Sequence, residues 1–322
     1  MGQNVCRQLI KEGHDVVALV RKRASLNTDD MGTRGQQVSI VEGSFTEADV
    51  LRAAAQGCEA IINVAGTTDM SLLKYGDYLP VNKEGVEVIL EVMHECGIGR
   101  LVHVSTANTI GYGTIDQLAD EQCEMQQPFR ASFYARSKAE GEQLLRWECT
   151  QHPDEHIVIV NPGFMIGPFD TKPSSGALLD AAYRKRWMIC PSGGKSFIHV
   201  RDAAVAIVNA LTQGQSGENY LLTGENMSIY DFYTIQSKVC GYKQHLYVLP
   251  DTLLLLAGWV GDLLQMLKIR TQLCSRNVRQ LMVMEYYSNR KAVEDLGLPT
   301  TKIEQAIEDY YSWKEHLTRK SL

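Results

Sequence analysis

In the first half of this 322-residue chain, short apolar runs alternate with segments of helical periodicity. The runs Val16–Val20 and Ile157–Val160 are continuously apolar, which is typical of strands buried on both faces of a sheet. Between such runs, apolar residues recur every three or four positions, as they do from Val86 to Met93. Strands that alternate with helices in this way predict βαβ units, and therefore an α/β fold built on a doubly wound parallel sheet.

The same patterns place the individual elements. Strands are predicted at 16–20, 38–41, 60–64, 101–105, 157–160 and 219–222. Helices are predicted at 2–13, 46–57, 82–97, 132–149, 176–187, 202–212, 228–240 and 253–267, with Asn82 as the cap of the helix that it begins. Ligands of parallel sheets bind beyond the carboxyl ends of the strands, so we expect catalytic residues there.

Composition excludes several classes of protein. The net charge of −6 gives no basic surface for nucleic acid, and no uninterrupted apolar run reaches the roughly 20 residues of a membrane span. The eight cysteines form no CxxC pair and no Cys/His cluster at metal-ligand spacing, so neither a disulfide framework nor a metal site is predicted. Since no apolar signal core follows Met1, these features indicate a cytoplasmic globular protein and favour an enzyme.

The segment from Tyr134 to Lys138 carries the sharpest indication of chemistry. A spacing of four places the phenol and the ammonium group on one helix face, one turn apart. A nearby lysine charge lowers the pKa of a phenol, which makes Tyr134 a candidate general acid or base for a carbonyl or alcohol oxygen. The same spacing also occurs on ordinary surface helices. Residues at the neighbouring strand ends distinguish a catalytic pair from such a surface helix.

Two strand ends support the catalytic interpretation. Ser105 and Thr106 lie at the end of the strand 101–105 and offer hydroxyls that would orient a substrate oxygen toward Tyr134. The segment Asn63–Gly66 ends the preceding strand with small residues that let the backbone approach a ligand closely. Serine and threonine are also favoured in ordinary turns, but the combination of these features is hard to reconcile with coincidence.

Further motifs extend this pattern along the chain. In order they are Asn63-Val-Ala-Gly66, Val81-Asn82-x-x-Gly85, Val102-His-Val-Ser-Thr-Ala107, Tyr134-x-x-x-Lys138, Pro162-Gly-Phe-Met-Ile-Gly-Pro168, Phe197-Ile-His-Val-Arg-Asp-Ala-Ala204 and Tyr287-Ser-Asn-Arg-Lys-Ala-Val-Glu-Asp-Leu-Gly297. Each motif is weak alone, but the ordered set, which spans nearly the whole chain, resembles the extended short-chain dehydrogenase/reductase superfamily (the NAD-dependent epimerase/dehydratase family). Within it, the sequence is most similar to the dihydroflavonol reductase-like and 3β-hydroxysteroid dehydrogenase-like members.

The resemblance implies a Rossmann-type sheet and the interconversion of a carbonyl and a secondary alcohol with a nicotinamide cofactor. By this resemblance Tyr134 is the proton donor, and Lys138 binds the nicotinamide ribose while lowering the tyrosine pKa. Thr106 aligns with the catalytic hydroxyl, and its neighbour Ser105 is a second candidate. The implied cofactor-binding residues are Gly2, Arg21, Lys22, Ser44, Phe45, Asn63, Val64, Ala65, Gly66, Asn82, Lys138, Pro162 and Gly163, the last two beside the nicotinamide.

The residues after the strand 16–20 bear on the choice of cofactor. An acidic residue there would bind a ribose 2′-hydroxyl, whereas arginine accommodates a 2′-phosphate. Here Arg21, Lys22 and Arg23 follow the strand, so NADP(H) is favoured over NAD(H), the alternative being a solvated basic loop. Ser44 stands where many relatives have an aspartate directed toward adenine, which weakens that contact.

The front of the chain departs from the family pattern. Relatives begin with a strand and a TGxxGxxG turn, whereas this sequence matches only the last glycine, Gly2, and the helix after it. We therefore expect the first strand, which is central in such sheets, to be missing, with unpaired strand edges on both sides of the gap. We also expect Met1 to be an internal methionine of a longer reading frame, or the chain to be trimmed at this end.

The predicted organisation has two parts. A dinucleotide-binding domain comprises residues 1–165, and 197–224 return to it. A smaller, mainly helical substrate lobe comprises 166–196 and 225–322.

The apolar stretch Leu253–Leu267 belongs to this second lobe. Asp262 and Gln265 interrupt it, so it predicts a helix that covers the substrate or packs between subunits, and not a membrane helix. Such a cover favours an apolar or ring-containing substrate. Relatives of this kind are often homodimers. The residues His199 and Asp202 match a structural HxxD feature and are assigned no chemistry.

Two alternatives stand beside the reductase. Nucleotide-sugar epimerases and dehydratases share the fold, but they usually read RxxNxYGP where this chain has Asn161-Pro-Gly-Phe-Met-Ile-Gly-Pro168. A non-catalytic dinucleotide-binding protein would keep the fold without the reaction. The intact Thr106, Tyr134 and Lys138 argue against that alternative, and the incomplete glycine turn argues for it.

Overall fold

The computed structural model describes residues 1–28, 31, 38–171 and 175–320. The elements up to the middle of the chain are α1 (Gly2–Glu12), β1 (Val16–Val20), β2 (Val38–Glu42), α2 (Ala48–Ala55), β3 (Ile61–Asn63), α3 (Leu79–Asn82), α4 (Glu84–Cys96), β4 (Arg100–Val104), α5 (Phe133–Gln151) and β5 (His156–Pro162). They alternate as the apolar pattern predicts, and the predicted α/β fold is confirmed.

Local sequence signals end and begin the helices where expected. Gly13 and Gly97 follow α1 and α4 in the left-handed region, with φ of 93° and 67°, a conformation that glycine adopts without steric cost. Ser132 caps α5, because its hydroxyl accepts a hydrogen bond from the backbone N–H of Ala135. The predicted cap Asn82 is wrong: it is the last residue of the separate short helix α3, and Lys83 precedes α4.

The strands of the first half are all parallel. β3, β4, β5 and a later strand, β9 (Asn219–Leu222), form one sheet in that order, and β1 pairs with β2 in a second. Among the described residues, no strand is hydrogen-bonded between β1 and β3, which is where the missing central strand was expected.

Side chains of alternate strand residues pack into two separate cores, as the pleat of a strand requires. Val102 and Val158 lie on the face covered by α1 and by a later helix, α7 (Val200–Asn209). Leu101 and Ile157 lie on the opposite face, covered by α2, α4 and α5. The sheet is therefore covered on both faces, and its carboxyl edge is left for ligands.

The second half contains the remaining elements, β6 (Phe164–Ile166), α6 (Gly176–Ala182), β7 (Trp187–Cys190), β8 (Gly194–His199), α7 and β9, β10 (Glu225–Ser228), α8 (Ile229–Val239), β11 (His245–Val248), α9 (Asp251–Met266), α10 (Ser275–Val278), β12 (Met284–Glu285), α11 (Arg290–Leu296) and α12 (Ile303–Lys320). β8 pairs with β6, β10 and β12, and β7 pairs with β11.

The second half also contains a separate core, which lies between β8 and the helices α6, α8 and α12. The helix predicted at 176–187 is too long, because it ends at Ala182 and residue 187 begins β7. The four consecutive apolar residues Trp187–Cys190 form this strand. His199 caps α7, and Asp202 accepts hydrogen bonds from the N–H and hydroxyl of Thr301, so both are structural, as predicted.

Many apolar side chains of the helix α9 are exposed to solvent. Trp259, Val260 and Leu263 are each more than half exposed, and Gly258 and Gly261 pack against the segment that leads into α10. Within the described ranges, no helix has the length and apolar character needed to cross a membrane.

Candidate active site

The carboxyl ends of the parallel strands bring the predicted catalytic residues together. Thr106 follows β4 and is buried, and Tyr134 lies in the first turn of α5 and is half-buried. The Thr106 hydroxyl lies beside the Tyr134 phenol. Burial raises the pKa of Tyr134 above its ordinary value, the neighbouring Thr106 hydroxyl acts in the opposite direction, and the negative charge of Glu142 adds to the rise. The phenol is therefore protonated at neutral pH.

Lys138 lies one helical turn beyond Tyr134 and is 2% exposed. Its Nζ donates a hydrogen bond to the carbonyl oxygen of Val104 at 2.9 Å and lies 3.1 Å from Nε2 of His103. Burial lowers the pKa of Lys138 to about 8, against the raising effect of Glu142. The predicted lowering of the Tyr134 pKa by this lysine is not found, because burial of the phenol dominates.

His103 connects this lysine to the end of the neighbouring strand. The ring is 1% exposed, and its Nδ1 lies 3.2 Å from the amide nitrogen of Asn63. Burial, together with the charge of Lys138, lowers the pKa of His103 well below its ordinary value, so the ring is neutral. Asn63 in turn accepts the backbone N–H of Ala65 at 3.1 Å. A buried polar chain thus runs from Lys138 to the turn after β3.

The Ser105 hydroxyl has different partners from the Thr106 hydroxyl. Its hydroxyl donates a hydrogen bond to Oε1 of Glu142, a glutamate that is 2% exposed. The same oxygen accepts from the Thr109 hydroxyl at 2.7 Å and from the Asn161 amide at 2.9 Å. Since the Ser105 hydroxyl is used inside this network, the geometry places Thr106, and not Ser105, against Tyr134.

The second oxygen of Glu142 is also bound. Arg146 contacts Oε2 at 2.9 Å, and the Asn219 amide donates to it at 3.2 Å. Glu142 therefore links α5 to the strands β5 and β9 beneath the reacting residues. Its position could have been found in the sequence, because residues 134, 138 and 142 continue the same spacing of four along one helix face.

Several of the residues predicted to bind the cofactor lie at the ends of strands on this same edge of the sheet. A Cβ on Gly2 would lie 3.3 Å from a methyl group of Val64, so the first turn of α1 meets the turn after β3. This helix has no side-chain cap, and free N–H groups at a helix N-terminus are suited to a pyrophosphate. A Cβ on Gly163 would lie 2.6 Å from the carbonyl oxygen of Ser196, so only glycine allows this approach after Pro162. The donor set and the close backbone contacts fit a dinucleotide.

The side-chain oxygen and the side-chain nitrogen of Asn82 both form hydrogen bonds within the protein. Its side-chain oxygen accepts the N–H of Thr67 at 2.8 Å, and its amide donates to the Thr67 carbonyl at 3.1 Å and to the Ser137 hydroxyl at 2.9 Å. It therefore fixes the turn after Gly66 to α5. Direct contact of Asn82 with a cofactor stays a prediction.

The basic segment after β1 is exposed. Arg21 and Lys22 extend into solvent, and the N–H of Arg23 donates to a carboxylate oxygen of Glu42 at 2.9 Å. The N–H of Gly43 donates to the Val20 carbonyl, which brings the ends of β1 and β2 to one place.

The two residues predicted to lie near the adenine follow β2. The Ser44 hydroxyl is 2.7 Å from that of Thr46, in the turn that leads into α2. Phe45 packs into the core beside Gly85, where a Cβ would lie 2.6 Å from the ring. Its ring thus has a packing role in addition to any contact with a cofactor.

The fold and the geometry of this edge define a dinucleotide-binding α/β enzyme. The family model of the NAD dependent epimerase/dehydratase family matches residues 1–223, and the chain belongs to this family. It is an NAD(P)-dependent enzyme of the extended short-chain dehydrogenase/reductase type, as the sequence motifs predict.

Curated relatives match over nearly the whole chain. A putative dihydroflavonol 4-reductase of Synechocystis sp. is 30% identical, covering 97% of this chain and 91% of that protein. Sterol demethylase protein B of Methylococcus capsulatus is 25% identical, covering 97% and 94%. Among solved structures, the UDP-glucose 4-epimerase of Bifidobacterium longum in complex with NAD+ and UDP shares the fold, with a TM-score of 0.76, 18% identity and coverage of 98% and 95%.

Proposed function

We propose that this protein interconverts a carbonyl and a secondary alcohol on a small, apolar or ring-containing substrate with NADP(H), and that Tyr134 is the proton donor. The observation that carries the proposal is that Thr106, at the end of β4, and Tyr134, in the first turn of α5, lie side by side at the carboxyl edge of the sheet. Both groups lie where parallel sheets bind their ligands. Lys138 is buried one turn away on the same helix.

The proposed reaction divides the work between cofactor and protein. The bound nicotinamide supplies or accepts the hydride. In reduction, Tyr134 gives its phenolic proton to the substrate oxygen as the carbonyl carbon gains hydride, and Thr106 holds that oxygen by a hydrogen bond. Because burial raises the pKa of Tyr134, the protonated form that this step needs is present at neutral pH, which supports the direction of reduction.

The preference for NADP(H) rests on the basic segment after β1. Arg21 and Lys22 are exposed at the carboxyl end of this strand, where a ribose 2′-substituent lies in folds of this class. Two exposed cations there suit a phosphate better than a hydroxyl.

The segment formed by α9 and α10 supports an apolar substrate. The guanidinium of Arg276 lies 3.7 Å above the ring of Phe133, the residue just before Tyr134. The Asn277 amide donates to the Met70 carbonyl at 2.9 Å, in the loop after β3. These contacts attach α10 beside the proposed reacting groups, and the apolar helix α9 packs against the start of α10 through Gly258 and Gly261. The two curated relatives compared above are named for a flavonoid and a sterol reaction, both on fused-ring molecules.

The cell compartment and assembly state complete the proposal. All eight cysteines are free thiols, which suits the reducing cytoplasm. The exposed apolar side chains of α9 suit burial against a second copy, so a homodimer belongs to the proposal.

The test is a cofactor titration followed by a substrate comparison. Quenching of tryptophan fluorescence should show tighter binding of NADPH than of NADH, and the double variant R21S/K22S should lose that preference. NADPH oxidation should then occur with dihydroflavonols or cyclic ketones. Turnover of nucleotide sugars without net cofactor oxidation would support the epimerase or dehydratase instead. Failure to bind either cofactor would overturn both enzymatic functions.

A further inference from the structure

A cluster of two histidines and two glutamates lies at the opposite edge of the sheet from the proposed active site. His94 is in the last turns of α4, Glu148 and His152 are one turn apart at the end of α5, and Glu155 is in the turn that leads into β5. The strands β4 and β5 begin at this edge, and their five and seven residues separate it from Thr106 by roughly 16 Å or more.

The four side chains converge on one point. Nε2 of His94 is 2.8 Å from Oε1 of Glu148 and 3.2 Å from Oε1 of Glu155, and Nε2 of His152 is 3.4 Å from Oε1 of Glu148. One nitrogen or oxygen of each residue lies within 4.8 Å of those of the other three. Ligand atoms about 2.1 Å from a tetrahedral zinc ion are about 3.4 Å apart, so the observed separations bracket the geometry of such an ion.

Glu148 gives a second, independent indication of a ligand. Its side chain is 4% exposed, and Oε1 forms no hydrogen bond with the described residues, although it points into the cluster. His94 approaches this oxygen closely but not along a hydrogen-bond direction. A second oxygen, Oε2 of Glu155, is also buried without a hydrogen bond. Buried carboxylate oxygens without donors are unfavourable unless a cation binds them.

The backbone around these residues is fixed by hydrogen bonds. The N–H of His152 donates to the Glu148 carbonyl at 2.8 Å, and the N–H of Glu155 donates to the His152 carbonyl at 3.1 Å. The backbone N–H of the next residue, His156, donates to the Gly99 carbonyl at 2.8 Å, which ties the turn to the start of β4. The ligand atoms are therefore held by a rigid frame and need only side-chain adjustments to bind an ion.

We propose that His94, Glu148, His152 and Glu155 form a binding site for one Zn²⁺ ion. Two neutral imidazoles and two carboxylates carry a net charge of −2, which the ion neutralises, and nitrogen and oxygen ligands in a set of four are those that zinc accepts. Since all four positions are filled by protein, the ion is structural. It ties the ends of α4 and α5 to the start of β5, independently of the reaction proposed above.

The test is metal binding by protein purified without a histidine tag and freed of metal by a chelator. Isothermal titration with ZnCl2 should show one ion per chain, and Zn²⁺ should raise the melting temperature. Replacing His152 by glutamine should weaken binding at least about tenfold and abolish the thermal shift. His14→Gln changes an exposed histidine outside the cluster and should behave as wild type.

Cobalt and a second variant make the result decisive. Co²⁺ bound at this site should give the visible bands of a tetrahedral complex without sulfur-to-metal charge transfer, because no cysteine belongs to the cluster. His94→Gln removes the other histidine ligand, whose side chain is also partly exposed, and takes the place of His152→Gln if circular dichroism shows the latter to be unfolded. Absence of stoichiometric binding, thiolate bands with Co²⁺, or wild-type affinity in folded variants would overturn the site.

Discussion

Replacing Lys138 by methionine should change how the stability of the protein depends on pH. The lysine is 2% exposed, and burial lowers its pKa from 10.5 to about 8. Methionine keeps an unbranched chain in the same space but carries no proton. The variant therefore removes the titration of this one group from the free energy of unfolding.

The direction of the effect follows from proton binding. Between pH 8 and pH 10.5 the unfolded chain keeps the proton on Lys138 while the folded protein has lost it, so raising the pH stabilises the folded state of the wild type. Below pH 8 the full cost of the buried charge is present. A fall from 10.5 to about 8 corresponds to about 3 kcal/mol, at 1.36 kcal/mol per pH unit.

Urea unfolding followed by tryptophan fluorescence measures this difference. We expect the free energy of unfolding of the wild type to rise relative to Lys138→Met by about 2 kcal/mol or more from pH 7 to pH 10. The absolute difference at one pH also contains the lost hydrogen bond to Val104, so the change with pH is the decisive quantity. Lys11→Met, which removes an exposed lysine, should show no such change.

A difference between wild type and Lys138→Met that stays level, or that falls as the pH rises, would contradict a lowered pKa of Lys138. It would mean that the lysine is solvated or paired strongly enough to keep an ordinary pKa. A lysine with an ordinary pKa would stay mostly protonated at every pH of the experiment, so it would carry a positive charge at its proposed place beside the nicotinamide ribose.

Three further predictions concern the neighbouring residues. Thr106→Ala should lower kcat about 100-fold or more, because it removes the hydroxyl that holds the substrate oxygen. Ser105→Ala removes a hydroxyl bound to Glu142, so it should keep kcat and lower only the stability. Steady-state kinetics measures kcat, and thermal melting measures the stability. Glu142→Gln should lower the free energy of unfolding in urea by about 2–4 kcal/mol, since it places an amide group against the amide donors of Asn161 and Asn219. The control variant Glu91→Gln, at an exposed position, should keep the wild-type stability. Equal stability of the two variants would contradict the proposed network. The rate of carbonyl reduction should stay level from pH 6 to about pH 9 in buffers of constant ionic strength, because the raised pKa of Tyr134 keeps the phenol protonated, and a fall beginning near pH 7 would argue against it.

The sequence predicts the sheet well because burial on both faces leaves a clear pattern. Val16–Val20 and Ile157–Val160 form strands as expected, and Gly13 and Gly97 end their helices. Asn82 shows the limit of this reasoning. An asparagine before an apolar helix predicts a cap, but its amide instead binds Thr67 and Ser137, which are distant in sequence.

The candidate site is predicted in part for a similar reason. Tyr134, Lys138 and Thr106 follow from local spacing and from the ends of parallel strands. Glu142 and His103 do not, because their partners come from several strands and only the folded chain brings them together.

The His and Glu cluster at the other edge does not follow from the sequence, for a different reason. Cysteine pairs and short Cys/His spacings indicate a metal site in a sequence, and this cluster contains no cysteine. His94 lies far from the segment Glu148–Glu155 in the chain and comes beside it only where α4 and α5 pack on the same sheet face.

The most direct test of the account is the comparison of wild type with Tyr134→Phe. This change removes only the phenolic oxygen, so NADPH affinity measured by fluorescence titration should stay near the wild-type value. With a cyclic ketone as substrate, kcat for NADPH oxidation should fall by about 100-fold or more, because the variant lacks the phenolic proton that the reduction uses. A variant that binds NADPH normally and reduces the ketone at the wild-type rate would contradict Tyr134 as the proton donor, and with it the function proposed for this site.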